Sequence, residues 1–219
     1  MRENIDTYVD INAWRNGYRS GLLTFEEQSY ICAKWVQMYP SQDHSNDAFV
    51  TDSIKLYSGD GPKRVVEFGG YEGHLYTRVA PHVDIQEWTS MEICAHNVIA
   101  GAPFREHVLT DFVFNEKPNI EGYDVFVTCH ALEHLTGEDI QKTLAFFASG
   151  KIPLFILEAQ YGQRGYTWDG VGGASHISEI DGNDTISIMT DLGYEALDVS
   201  DHNSTARSTA WTGVFRLIQ

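Results

Sequence analysis

The spacing of apolar positions divides the chain into two regimes. Over residues 1–60 they recur at helical intervals. Tyr30, Ile31, Lys34, Trp35 and Met38 follow one another at that spacing, and Pro40 stops the run. Ahead of them, Thr24 and Glu27 have the spacing of a capping box, in which hydroxyl and carboxylate satisfy each other's free amides. A further helix is predicted over residues 47–57, closed by Gly59, and residues 59–62 are turn material.

From Arg64 onward short apolar runs alternate with amphipathic ones. Strands are predicted over residues 64–68, 85–91, 107–110, 123–128 and 152–157, with Pro153 near the start of the last, where a missing amide is tolerated. Helices are predicted between them: one ending near Pro81, one over 94–100 closed by Gly101, and one capped by Thr136, running through Phe147 and stopped by Gly150. After a helix over 185–192, strands at 194–199 and 212–218 are joined by a polar loop with no helix, which suits an antiparallel pair. The pattern predicts an α/β fold: a Rossmann-like seven-stranded sheet, mostly parallel with an antiparallel terminal strand, helices on both faces, plus an N-terminal helical cap. Residues 1–60 form the cap and residues 61–219 the main domain of one unit.

Composition narrows the function classes. With 219 residues and 42% apolar content, the chain can bury the core of one such domain. It holds no apolar stretch near the length of about eighteen residues that a membrane span needs. The polar, acidic N-terminus lacks the apolar centre of a signal peptide, and the expected location is cytoplasmic. Cys32, Cys94 and Cys129 are odd in number and form no CxxC pair, so free thiols are expected and no metal site. Fifteen Lys and Arg against 31 Asp and Glu leave a net charge of −16 with no basic run, which disfavours nucleic acid as partner. A neutral or cationic small-molecule acceptor suits this charge, on a monomer or homodimer.

In open α/β sheets ligands sit beyond the carboxyl ends of the strands, so those ends carry the candidate chemistry. The first strand delivers Glu67, then Gly69, Gly70 and Gly73, whose missing side chains let backbone approach a ligand. The dinucleotide fingerprint GxGxxG is absent, and Glu72 is poorly placed against a pyrophosphate. A ligand with a nucleoside and an amino acid but no phosphate meets neither objection. Glu92 ends the second strand, about twenty residues beyond the glycines, where a carboxylate binds both ribose hydroxyls. After the third strand Asp111 offers an acceptor to an adenine amine and Phe112 a cover for the ring. The fourth strand ends in Cys129, His130, Ala131, Leu132, Glu133 and His134.

Together these residues resemble the class I S-adenosylmethionine-dependent methyltransferases over roughly residues 64–219. Glu67, Gly69 and Gly73 occupy the positions of that family's first motif, Glu92 its ribose-binding acid and Asp111 its adenine-binding acid. Residues 123–135 look like the LEH signature of the ubiquinone-biosynthesis-type subgroup. One departure stands out: Tyr71 replaces the usual middle glycine of the loop, with Gly70 beside it. The resemblance implies S-adenosylmethionine as cofactor, with Cys129 and His130 lining its pocket.

Methyl transfer from a sulfonium releases a neutral thioether, so alignment supplies much of the rate. A base is required only for a hydroxyl or protonated amine acceptor. His134 and His176 are the candidate bases. Residues 158–176 read as a long glycine-rich aromatic loop overhanging the acceptor, with Tyr161, Trp168 and His176 as contacts and Tyr18 joining them from the cap. Base methyltransferases of nucleic acids carry an Asn/Asp-Pro-Pro-aromatic tetrapeptide or a Pro-Cys pair after the fourth strand, and neither is present. A nucleic-acid or protein methyltransferase and a catalytically silent cofactor-binding partner subunit remain as alternatives.

Overall fold

Apolar residues on both sides of the central strands leave no polar face for solvent, so this sheet must lie between two helical layers. The computed structural model describes residues 46–70, 73–92, 106–109, 118–161, 180–205 and 208–218, with positions 5, 22–24, 26–27, 29–31 and 34 nearer the N-terminus. In chain order the elements are α1 (Asp47–Tyr57), β1 (Lys63–Phe68), α2 (His74–Val79), β2 (Ile85–Glu92), β3 (Glu106–Leu109), β4 (Val125–Cys129), a 3-10 turn (Leu132–His134), α3 (Gly137–Ser149), β5 (Leu154–Tyr161), α4 (Gly182–Asp191), β6 (Tyr194–Thr205) and β7 (Ser208–Leu217).

The strands form one seven-stranded sheet in the order β3-β2-β1-β4-β5-β7-β6. Strands β1 to β5 pair in parallel. Strand β7 runs antiparallel to both β5 and β6 and is wedged between them. Strand order reverses between β1 and β4, since β2 and β3 lie to one side of β1 and β5 to the other. That reversal opens a crevice at the carboxyl ends of β1 and β4.

Alternation along the strands sorts the core into two layers. Val65, Trp88, Val125, Val127, Leu154, Ile156 and Val214 pack under Val50 and Ile54 of α1 and Leu75 and Val79 of α2. Phe68, Phe126, Phe155 and Leu157 face the other way, against Ile140, Leu144 and Phe147 of α3 and Met189 of α4. The Phe126 ring lies 4.2 Å from Phe147 and 4.8 Å from Phe155.

Local signals set the helix ends. The Asn46 side chain accepts from the Phe49 amide at the start of α1. The Thr136 hydroxyl accepts from the Asp139 amide, and Gly150 ends α3. Thr136→Ala removes that cap and should cost about 1 kcal/mol in a urea titration. An unchanged unfolding midpoint would show that the cap contributes nothing. Nearer the N-terminus, the Thr24 amide donates to Glu27 and the Glu27 amide to Thr24, as a capping box requires.

The fold corrects several expectations. Residues 158–161, expected to begin a loop, are the end of β5, because β5 pairs with β7 without interruption from Leu154↔Arg216 to Tyr161↔Thr209. The two last strands are longer than their apolar cores: β6 runs to Thr205, β7 begins at Ser208, and hydrogen bonding between them outweighs the polar side chains in between. β4 begins at Val125, after Tyr123 has turned its hydroxyl to Thr89. The helix expected over 94–100 and most of the N-terminal cap lie outside the described residues.

Candidate active site

A side-chain period of two puts Val65 and Glu67 on one face of β1, Trp88, Ser90 and Glu92 on one face of β2, and Val127 and Cys129 on one face of β4. On β5 the same face carries Ile156 and Glu158. These are the faces toward α1 and α2. At the carboxyl ends of the strands they bring together three acids, Glu67, Glu92 and Glu158, which are 3%, 7% and 2% exposed. Burial this deep is uncommon for carboxylates unless partners are supplied.

Glu67 finds its partner on the neighbouring strand. The Trp88 indole donates to Glu67 Oε2 at 2.8 Å, and the fully buried Ser90 hydroxyl lies beside the carboxylate. Burial still dominates: it pushes the carboxyl up to about 7, with Glu92 adding to the rise and the Trp88 and Ser90 donors opposing it. Gly70 lies directly over this group. A Cβ there would sit 1.7 Å from Ser90 Oγ and 2.6 Å from Glu67 Oε2, so only glycine lets the chain pass. Gly69 has a φ of 75°, and its amide donates to Met91 O at 2.8 Å. Gly73, with a φ of 80°, donates to Gly70 O and opens α2. The turn is thereby folded back onto the end of β2, next to Glu92.

The end of β4 has a second set of partners. Cys129 is partly buried, and burial together with Glu158, Glu67 and Glu133 pushes its thiol well above the ordinary range, which makes it a poor nucleophile. His130 adopts a φ of 55° and donates its amide to Glu158 O at 3.0 Å. Its Nδ1 is 3.2 Å from Glu133 Oε1, and its Nε2 is 3.7 Å from Glu158 Oε1. The other oxygen of Glu158 accepts from the Asn46 amide at 3.2 Å, which ties the start of α1 to the end of β5. His134 closes the 3-10 turn, partly buried, with its amide on Ala131 O.

The structure therefore gathers Glu67, Gly69, Gly70, Gly73, Glu92, Cys129 and His130 around one crevice. His134 stands one short turn away. Tyr161 lies at the end of β5, described in its backbone only. Asp111, Phe112, Trp168, His176, Tyr18 and Tyr71 fall outside the described residues. Three residues of the site carried no role in the sequence reading: Trp88, Glu133 and Glu158. Glu133 stood in view inside the LEH signature, whereas Glu158 looked like the polar start of a loop. Among the described residues no group of three metal-ligating side chains is placed to hold an ion. No helix there is long and apolar enough to cross a membrane.

No protein-family model matches the chain, and no curated protein matches it in sequence. Solved structures match it in fold. Magnesium protoporphyrin IX methyltransferase (ChlM) from Synechocystis PCC 6803 with bound SAM superposes with a TM-score of 0.61 at 14% identity, covering 97% of this chain and 94% of that one. The methyltransferase domain of bacterial CtHen1 gives a TM-score of 0.62 at 15% identity, over 80% of this chain and 98% of that one. The cyclase SpnF gives 0.58 at 14% identity, over 78% and 80%. The chain thus has the fold of class I S-adenosylmethionine-dependent methyltransferases, a fold that the cyclase shares.

Proposed function

We propose that this protein is an enzyme that transfers a methyl group from S-adenosylmethionine to the oxygen or nitrogen of a small-molecule acceptor. The observation that carries this reading is the buried Glu92 carboxylate beside a glycine turn too tight for any side chain, at the point where strand order reverses. The residues fit the cofactor: Glu92 would take the ribose hydroxyls, Gly69, Gly70 and Gly73 would admit the amino-acid portion, and Asp111 and Phe112 would hold the adenine. Glu67, with its carboxyl turned to Trp88, would support the turn from beneath. Cys129 and His130 would line the pocket wall. The bound cofactor supplies an electrophilic methyl group on a neutral leaving thioether. Tyr18, Tyr161, Trp168 and His176 are the proposed acceptor contacts, and His134 and His176 the proposed bases. The acidic crevice suits a neutral or cationic acceptor, and the enzyme is proposed to work in the cytoplasm.

Calorimetry should register binding of S-adenosylmethionine and none of NAD. Glu92→Ala should weaken that binding at least tenfold, about 1.4 kcal/mol for one lost charged hydrogen bond. Tight NAD binding would overturn the proposal, and unchanged affinity in the variant would remove Glu92 from the ribose. The likeness to a cyclase favours a second reading, in which cofactor is bound without methyl transfer. A labelled-methyl screen over a metabolite library separates the two.

A further inference from the structure

We propose that His130, held between Glu133 and Glu158, is the proton acceptor of this site, which serves an acceptor bearing a hydroxyl or a protonated amine. The inference rests on the methyl-transfer reading above. It moves the base from His134, at the far end of the 3-10 turn, to the residue that directly follows β4 at the strand-order reversal.

Glu133 is 2% exposed, and its Oε1 lies 3.2 Å from His130 Nδ1. With Glu133 ionised, its carboxylate can only accept a hydrogen bond, and this contact then selects the neutral tautomer with its hydrogen on Nδ1. Nε2 is then the basic nitrogen, as in other carboxylate–imidazole pairs. Glu158 Oε1 stands 3.7 Å from Nε2, too far for a good hydrogen bond but near enough to favour the imidazolium once the proton arrives. Glu158 is itself fixed, with Oε2 on the Asn46 amide and its carbonyl on the His130 amide.

Backbone conformation supports the same assignment. A φ of 55° is uncommon for a non-glycine residue, and such strain collects at functional positions. The imidazole is 18% exposed, so it is screened from bulk water yet reachable from the crevice. Among the described residues, the titratable groups around it include Glu133 from the 3-10 turn, Glu158 from β5, Cys129 from β4 and, beyond Cys129, Glu67 from β1, while the Asn46 amide ahead of α1 bonds Glu158. In the step assigned to His130, the acceptor's O–H or N–H bond breaks. The proton passes to Nε2, and the electron pair stays on the acceptor atom, which becomes the nucleophile. Glu133 and Glu158 are positioning residues.

Nitrogen NMR of the full chain with labelled histidine tests the pairing without any turnover. Neutral His130 should carry its hydrogen on Nδ1, and Glu133→Gln should lower its titration midpoint by about one pH unit. A midpoint unmoved in both Glu133→Gln and Glu158→Gln overturns the arrangement. For the chemical role, His130→Gly suits the left-handed backbone and should lower turnover of an acceptor found in the library screen by about a hundredfold. The rise of wild-type turnover with pH through the His130 midpoint should disappear, and imidazole added to the buffer should restore at least tenfold. Unchanged turnover, or loss without rescue, overturns the proposal. Failure of the wild-type chain to bind S-adenosylmethionine would strike the methyl-transfer reading instead, while the titration still decides the pairing.

Discussion

Glu67→Gln is expected to stabilise the protein above neutrality and to remove a pH dependence that the wild-type chain carries. The unfolded carboxyl ionises near its ordinary value of 4.5, whereas in the fold burial holds the proton up to about 7. Between those two values the folded state binds one more proton than the unfolded state, so stability falls as pH rises. The contribution is fully present below about 4.5 and lost once the folded group ionises at about 7. At about 1.4 kcal/mol per unit, the loss across that interval is about 3 kcal/mol. Glutamine keeps an oxygen for the Trp88 indole and offers an amide to Ser90, so the variant preserves the contacts without the charge. Urea titrations of both proteins at several pH values read the difference directly. Parallel curves would mean that Glu67 is not where the proton is held.

Gly69→Ala is expected to lose about 3 kcal/mol, from left-handed strain of roughly 1–2 kcal/mol and overpacking of similar size. The φ of 75° accounts for the first term, and a Cβ that would stand 2.3 Å from Ala131 Cβ accounts for the second. Gly59 separates the two. Its φ of 74° is almost the same, but a Cβ there would meet nothing within 4 Å. Gly59→Ala should therefore cost only the strain, roughly 1–2 kcal/mol. Because Ala131 follows His130 directly, Gly69→Ala should also weaken binding of S-adenosylmethionine, whereas Gly59→Ala should leave it unchanged. Equal losses of stability in the two variants would show that close approach to Ala131 is not what demands glycine at the turn.

Features governed by residues a few positions apart were legible in the sequence alone. The helix predicted over 47–57 is α1, Thr136 and Gly150 bound α3, and Thr24 and Glu27 form their reciprocal cap. The parallel order of strands followed from strand–helix alternation, which is again a local pattern. What stayed hidden depends on partners far along the chain. Glu158 looked like a break in the apolar run because the groups that satisfy it, the Asn46 amide and the His130 ring, lie 112 and 28 residues away in sequence. β5 extends past it only because β7 supplies hydrogen bonds out to Thr209. The same limit applies to Glu67, whose alternation marked its face but not the indole waiting on β2. The crevice was legible as a set of strand ends, and its electrostatics were not.

The wedge of β7 between β5 and β6 also determines which strand is left at the margin of the sheet. Among the described residues β6 pairs with β7 alone, and its outer row of amides and carbonyls has no strand beside it there. Such a row is a template on which another polypeptide can add a strand and begin to aggregate. Exposed Glu195, Asp198 and Asp201 lie along it. Glu195 already accepts from Arg216 of β7, so an incoming strand would have to neutralise Asp198 and Asp201 or strip them of water, and a second copy of a chain at −16 brings mostly more negative charge. The acidic side chains along this margin therefore make it a poor template for a second strand of like charge.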